Sequence, residues 1–528
     1  MVPANHWVRN FRVSEADIEA LANLLLEKEQ PLDTETLARI LVENRLAQEV
    51  EALQAKFRDA HFYNPAERYD IGQRIIFPAL DFAAGVVVGQ RPGVNPEYES
   101  FTVTQVQFED PDKNGGSTVR EFATELTAPH ALSRSEDDDY ESALFTSSLT
   151  VDEIMEAAGD DIIYELENKL SESGTLVQVA GKWFPPELLV EVNIGHLHLA
   201  EAILDVNGGG PLSTAAILSE MGGLESGSQA LQEFSLNYVL KDDDRFDEVG
   251  PKGVVWWYLT RLEPAEVQQT PKILQFTPIE YDRSLLSPEL LELEWELDDE
   301  LSPPEASQTP RREGVITLIY PHRRVGTLPL NAATRQVFPT AQRTQRTYVT
   351  LIDGQDGEEY PGWVVKKDRY VFGLNKFYRK HKLPVGAFVT VRKGEEPGQI
   401  VIDFNAYRPR TEWVRLIVPK NNQITFEEAR RSIGADYDDL MLLGADDPEG
   451  VDALFDTLRQ QRRPLSAIIH NVITALAGMT PQGTVHAKTI YSAVNMVRRC
   501  PPGPIFATLV ANLDFQNVGG HYWKLADH

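Results

Sequence analysis

The chain has 528 residues, with 80 Asp and Glu against 50 Lys and Arg, and a formal charge of −30 at neutral pH. Its apolar content of 42% is enough to build cores, and this length holds roughly three to five ordinary domains. A single cysteine, Cys500, excludes an intrachain disulfide and points to a reducing compartment; no run approaches 18 apolar residues, and MVPANHWVRNFRVSEAD lacks a signal-peptide run. The expectation is a soluble cytoplasmic protein with no membrane contact, nucleoid-associated if bacterial.

In chain order, residues 1–60 read as a helical or winged-helix-like unit. Ser14 is placed to cap a helix with Asp17 three residues on, and Leu21, Leu24 and Leu25 keep one apolar face. From Tyr63 the pattern changes to short apolar runs separated by Gly and Pro, which predicts a small antiparallel β-barrel over 61–130, closed by Thr118–Thr124. Residues 135–167 are strongly acidic before turning helical, and 149–192 read as helix, Gly turn and a strand pair ending on Trp183 and Phe184. The stretch 196–262 shows three helical segments and two strands, and the same order returns over 461–528. The ends align as RFDEVGPKGVVWWYL and DFQNVGGHYWKL. Between these copies, residues 284–310 carry eight acidic residues and no basic one and end in SPPEASQTP, so 263–310 read as an acidic linker. Residues 406–460 read as a mixed α/β connector. The predicted fold class is therefore α+β and multidomain, with several winged-helix modules, a small antiparallel β-barrel and a central β-pseudobarrel.

Charge singles out one region. Residues 311–420 hold 20 Lys and Arg against 10 Asp and Glu, a net +10 that leaves −40 on the rest. A basic island in an acidic chain is the electrostatic footprint of a polyanion-binding module, because phosphates are held by clustered Lys and Arg. Its succession of strands and short helices (GVITLIY, Thr327-Leu328-Pro329, NAATRQVF, TYVTLID, YPGWVV, YVF, LNKFYRKHKL, AFVTVRKG, QIVIDF) resembles the DNA-binding pseudobarrel of plant B-three transcription factors and EcoRII-type restriction enzymes over 311–405. That resemblance implies two basic arms gripping duplex DNA: His322, Arg323 and Arg324 on one, Lys366, Lys367 and Arg369 on the other. The sequence departs from the family at Ala387, where Asp is usual, and at Gly373-Leu374, where Gly-Trp is usual.

The repeat at 198–259 and 464–525 resembles the HARE-type winged helix of the bacterial RNA polymerase delta subunit, which implies transcription machinery as a protein partner. A helix that reads bases needs Arg, Lys, Asn or Gln on its exposed face; PPGPIFATLVANL has no basic residue, and SQALQEFSLNYVLKDDDRFDE is acidic at its end, where phosphates would be repelled. Lys488, Arg498 and Arg499, with Arg459, Arg462 and Arg463 nearby, are possible secondary phosphate contacts.

Catalytic signatures are not found. There is no GxxxxGK[ST], GxSxG or HExxH. His196 and His198, read as strand residues, lack companion ligands, and Cys500 has no evident activating base. The expectation is a non-catalytic DNA-binding protein, transcription-associated, without cofactor or metal; the alternatives are an acidic adaptor and the DNA-recognition component of a restriction or defence system. One of the acidic stretches, 284–310 or 135–167, is also expected to lie over the basic barrel and suppress non-specific binding.

Overall fold

The computed structural model describes residues 11–57, 61–109, 119–130, 150–303 and 312–526, apart from 78, 79, 81, 82, 96, 97, 99, 129, 342, 343 and 345. Arg311, Arg343, most of the SPPEASQTP stretch and residues 135–149 of the first acidic segment lie outside them. The fold is mixed α/β with several sheets, and the chain separates into two compact units, Met1–Gln178 with Lys182–Leu188 and Val179–Gly181 with Leu189–His528.

The first unit begins with α1 (Glu15–Lys28), β1 (Leu32–Asp33) and α2 (Thr34–Phe57). Ser14 and Asp17 form the reciprocal cap that their spacing predicts. A five-stranded sheet follows, β2 (His61–Phe62), β3 (Arg74–Phe77), β4 (Ala83–Pro92), β5 (Thr102–Phe108) and β6 (Val119–Thr124), in the order β2-β3-β4-β5-β6. It curls until its ends meet: the Tyr63 hydroxyl donates to the Ala123 carbonyl, and the Leu126 N–H to Pro65 at 2.9 Å. The rings of Tyr63, Phe77, Phe108 and Phe122 pack inside. The chain then returns through α3 (Val151–Ser173), β7 (Val177–Val179) and β8 (Lys182–Phe184), and β8 pairs with β1.

Residues 1–60 and 149–192 are thus not separate domains. They form one helix and strand module interrupted by the small sheet, held by the pairing of Leu32 with Trp183 and by the Trp183 indole donating to Thr34 Oγ1 at 3.0 Å.

The second unit opens with the same order uninterrupted: α4 (Ile194–Val206), β9 (Leu212–Ser213), α5 (Thr214–Met221), α6 (Gln229–Leu240), β10 (Phe246–Glu248) and β11 (Trp256–Leu259). His196 and His198 lie on α4, not on a strand. A connecting stretch leads to α7 (Pro288–Leu297). The seven-stranded sheet comprises β12 (Glu313–Thr317), β13 (Thr327–Pro329), β14 (Arg346–Asp353), β15 (Glu359–Val365), β16 (Tyr370–Phe372), β17 (Phe388–Lys393) and β18 (Gln399–Asp403). Helices α8 (Tyr320–Val325) and α9 (Asn375–Lys380) punctuate it. The strand order is β12-β17-β18-β14-β15-β16-β13, antiparallel except for β14 with β18. Because its two edge strands are consecutive in the chain, joined through α8, the sheet wraps into a nearly closed barrel.

Two long strands, β19 (Ala406–Lys420) and β20 (Gln423–Ala435), then form a ribbon turned by Asn421 and Asn422, both left-handed. After β21 (Leu443–Gly444) and α10 (Pro448–Gln460), the order seen twice already appears a third time: α11 (Leu465–Ala477), β22 (Val485–His486), α12 (Ala487–Val497), α13 (Pro502–Ala511), β23 (Phe515–Gly519) and β24 (Tyr522–Leu525).

In all three modules the first strand pairs with the last, and the last strand carries a buried tryptophan: Trp183, Trp257 and Trp523. The first strand runs straight into a helix through Leu32-Asp33-Thr34, Leu212-Ser213-Thr214 or Val485-His486-Ala487. The middle residue of each triplet accepts a first-turn N–H.

The acidic stretch 284–303 is not a linker. Ser287 caps α7, whose Leu290 and Leu293 are buried, and the helix delivers Asp299 and Glu300 into the unit's interior, with Asp298 half-buried beside them. A carboxylate is buried only where a partner waits for it. Here Arg499, itself fully buried, meets Asp299 and Glu300 at 2.7 Å each. The Tyr491 hydroxyl donates to Asp299 at 2.5 Å.

Candidate nucleic-acid interface

The first predicted arm is engaged within the unit: His322 is buried, and Arg323 and Arg324 are half-buried. His322, Arg323 and Arg324 fall on α8, and each is held inside the unit. His322 is buried between Thr327 Oγ1 (2.8 Å) and Glu300 Oε1 (3.2 Å). Burial would raise the Glu300 carboxyl, but Arg499 and His322 hold it below the usual carboxylate range. Arg323 donates from Nε to the Leu383 carbonyl at 2.7 Å, and burial lowers its pKa. Arg324 is paired with Asp452 at 2.8 Å. The arm expected at His322, Arg323 and Arg324 is a short helix, ended by Gly326 in the left-handed conformation. Once helical, the three side chains face acids and carbonyls of the packed body, not phosphates.

The second arm is a turn, between β15 and β16, closed by Arg369 in the left-handed conformation. Lys367 stands exposed, with no ion pair among the described residues. Lys366 is half-buried, and burial lowers its pKa. Arg369 donates to the Glu300 carbonyl at 2.8 Å. Lys366 and Arg369 share a cavity of about 410 Å³ with Arg335 and the acidic stretch. The carboxylates on that wall are already engaged: Glu294 with Arg283, Asp298 with the N–H groups of Ala332 and Ala333, and Asp299 and Glu300 with Arg499. The acidic segment therefore does touch the basic barrel, through its own built-in partners.

Elsewhere on the barrel part of the island's charge is paired with acids, while Arg335, Arg379, Lys382 and Lys393 stand exposed with no ion pair among the described residues. Lys380 contacts Asp353, Asp356 and Glu358 within 3.0 Å, and Lys376 contacts Glu358 at 2.6 Å. The secondary contacts divide in the same way. Lys488 is buried against Glu296 and Asp438, and Arg499 is buried against Asp299 and Glu300. Only Arg498 is partly exposed, donating to the Arg463 carbonyl. Cys500 is buried, and burial pushes its thiol up to about 12.

The connector expected at 406–460 also presents an exposed surface of cations beside an aromatic side chain. Trp413 is 59% exposed, and Arg430, directly across the ribbon, places its guanidinium 4.8 Å from the indole centre. Arg410 lies over the Tyr407 ring at 5.4 Å, and Arg408 is exposed beside it. Among the described residues Arg408, Arg410 and Arg430 have no carboxylate partner, whereas Arg431 and Lys420 pair with Asp446 and Glu427. Arg-Pro-Arg-Thr-Glu-Trp-Val-Arg was legible as cations interleaved with an aromatic; what hid it was the absence of any sign that the strand edge is solvated.

Among the described residues no cluster of His, Cys, Asp and Glu is placed to hold a metal ion, and no helix is long and apolar enough to cross a membrane. Comparison with protein-family models, curated proteins and solved structures returned no match to the chain.

Proposed function

We propose that the protein binds nucleic acid, duplex DNA in the first instance, through the β15–β16 turn and the β19–β20 ribbon, without catalysing a reaction. The observation that carries this reading is the ribbon's exposed Trp413 flanked by arginines that have no acidic partner. The major groove admits a two-stranded ribbon, and unpaired guanidiniums are the groups that exchange counterions for phosphates. The three helix and strand modules read as winged helices serving protein contacts. The third helices of the second and third modules argue against base reading, since α6 buries half of its residues and α13 most of them.

The test is fluorescence anisotropy of the full-length protein on a 20-mer duplex, and on a single strand of equal length, across salt. Four to six phosphate contacts give a log–log slope of about −4 to −5, and Lys367→Glu and Arg430→Glu should each weaken binding and flatten the slope by about one. No binding at about 50 mM salt would discard the proposal. A second reading, single-strand binding, is favoured by Trp413 itself, because bases stack on an exposed indole. It predicts that Trp413→Ala abolishes single-strand binding and spares the duplex.

A further inference from the structure

We propose that the second unit contains a separate binding pocket for a nucleotide-sized phosphorylated small molecule, where α10, α11 and α12 converge. The pocket encloses about 380 Å³ and is ringed by five arginines: Arg459, Arg462, Arg463, Arg498 and Arg499. Its floor is apolar, made by Phe455, Leu458, Ile468 and Val497, and Gln275 and Thr277 complete the wall. No Asp or Glu lines it, in a chain with 30 more acidic than basic residues.

Four of the five guanidiniums, those of Arg459, Arg462, Arg463 and Arg498, have no carboxylate partner among the described residues; Arg499 alone is paired with acids. Arg459 donates to Gln275 Oε1 at 3.0 Å, Arg463 to Gln461 Oε1 at 3.1 Å, and Arg498 to the Arg463 carbonyl at 2.8 Å. The Arg462 guanidinium has no hydrogen-bond partner among the described residues. Arg499 spends its terminal nitrogens on Asp299, Glu300 and Asn495, yet its Nε is buried and unpartnered. A buried N–H without an acceptor is costly and calls for an explanation. A bound anion would supply the acceptor.

The C-terminal dipole of α10 favours cations and accounts for some of this charge. Arg498 and Arg499, at the C-terminal end of α12, are favoured in the same way by that helix's dipole. The dipole does not account for the backbone of Arg462. That residue sits at φ 49°, with its N–H bonded to Arg459 and that of Arg463 bonded to Leu458, the helix-ending motif in which glycine is the unstrained choice. A strained arginine where glycine would relax the chain is explained by what its side chain does. Arginine forks grip phosphate oxygens bidentately, and several convergent forks suit a group with more than one negative charge. The apolar floor adds room for an uncharged body, and the volume is that of a ligand site.

The experiment is isothermal titration of the full-length protein with ATP, AMP and pyrophosphate, comparing the natural chain with Arg462→Gly and Arg463→Ala. The expected result is saturable ATP binding, at least tenfold tighter than pyrophosphate. Arg462→Gly should weaken it at least tenfold while leaving the melting temperature unchanged or higher. No heat from any of the three probes at millimolar concentration overturns the proposal, and so does wild-type affinity in Arg462→Gly. Equal affinity for pyrophosphate and ATP overturns the nucleotide-sized ligand. Loss of duplex binding in Arg462→Gly without any ATP binding also overturns it, in favour of a nucleic-acid phosphate. Duplex binding measured in parallel keeps failure of the pocket distinct from failure of the ribbon.

Discussion

Arg499 shows how one side chain decides the role of a distant segment. Read locally, Trp-Glu-Leu-Asp-Asp-Glu is a solvated acidic run, and Val-Arg-Arg-Cys is the basic end of a helix. The two stretches are 200 residues apart, and nothing in either announces the other. In the fold they form one buried ionic cluster with Tyr491, Asn495 and His322. Removing one partner of such a cluster costs more than the pair contributes, because the remaining charge stays buried and uncompensated. Arg499→Met should therefore destabilise the second unit by about 3–5 kcal/mol, read as a lowered urea midpoint of its transition. An unchanged midpoint would mean that Asp299 and Glu300 reach water without the guanidinium. The same cluster changes how the suppression idea is tested. Deleting the acidic stretch would strand Arg499 in the core, so tighter DNA binding is not its expected first consequence.

At the scale of elements, the three helix and strand modules share one local design with graded hydrogen bonding. The Trp183 indole has Thr34 as its acceptor, Trp257 has both Thr214 (3.2 Å) and Asn237 (2.8 Å), and Trp523, where Ala487 replaces the threonine, has none. An orphaned buried N–H costs about 1–3 kcal/mol, whereas one that keeps another acceptor loses less. Thr34→Val should accordingly lower the melting transition of the first unit by that amount, and Thr214→Val should lower that of the second unit by clearly less. Equal losses would show that the number of acceptors does not set the cost. The second and third modules were legible as a repeat because each is continuous. The first was split into two apparent domains because the small sheet separates its α2 from its α3, and strand pairing across that gap leaves no trace in periodicity.

Across the whole second unit, the first complete module is fastened to the barrel by a buried acid pair. Glu263, with Asp247 beside it, faces Arg346 of β14 at 2.6 Å. Burial, reinforced by the Asp247 carboxylate and opposed by Arg346, pushes the Glu263 carboxyl up to about 8. A carboxyl that holds its proton more tightly when folded contributes stability that is complete below its unfolded pKa, near 4.5, and is lost as the pH rises through about 8. Thermal melts should then show stability falling between pH 5 and 8, and Glu263→Gln, which stays neutral, should flatten that fall. A slope unchanged in the variant would place the titration elsewhere.

What the sequence by itself determined is the run of local elements. These include the capped α1, the strands of the basic barrel, the turn at Lys366–Arg369, the two-fold part of the repeat and the concentration of positive charge. Caps, turns and alternation act over a few residues, so they are written locally. What only the tertiary structure decided is which charges are free. His322, Arg324, Lys488 and Arg499 look the same in sequence as Lys367, Arg430 and Arg462. The first four are consumed by acids contributed from elsewhere in the chain, while the last three face no carboxylate among the described residues. Availability of a charge depends on what packs beside it, and packing partners are set by the fold over separations that no local pattern records.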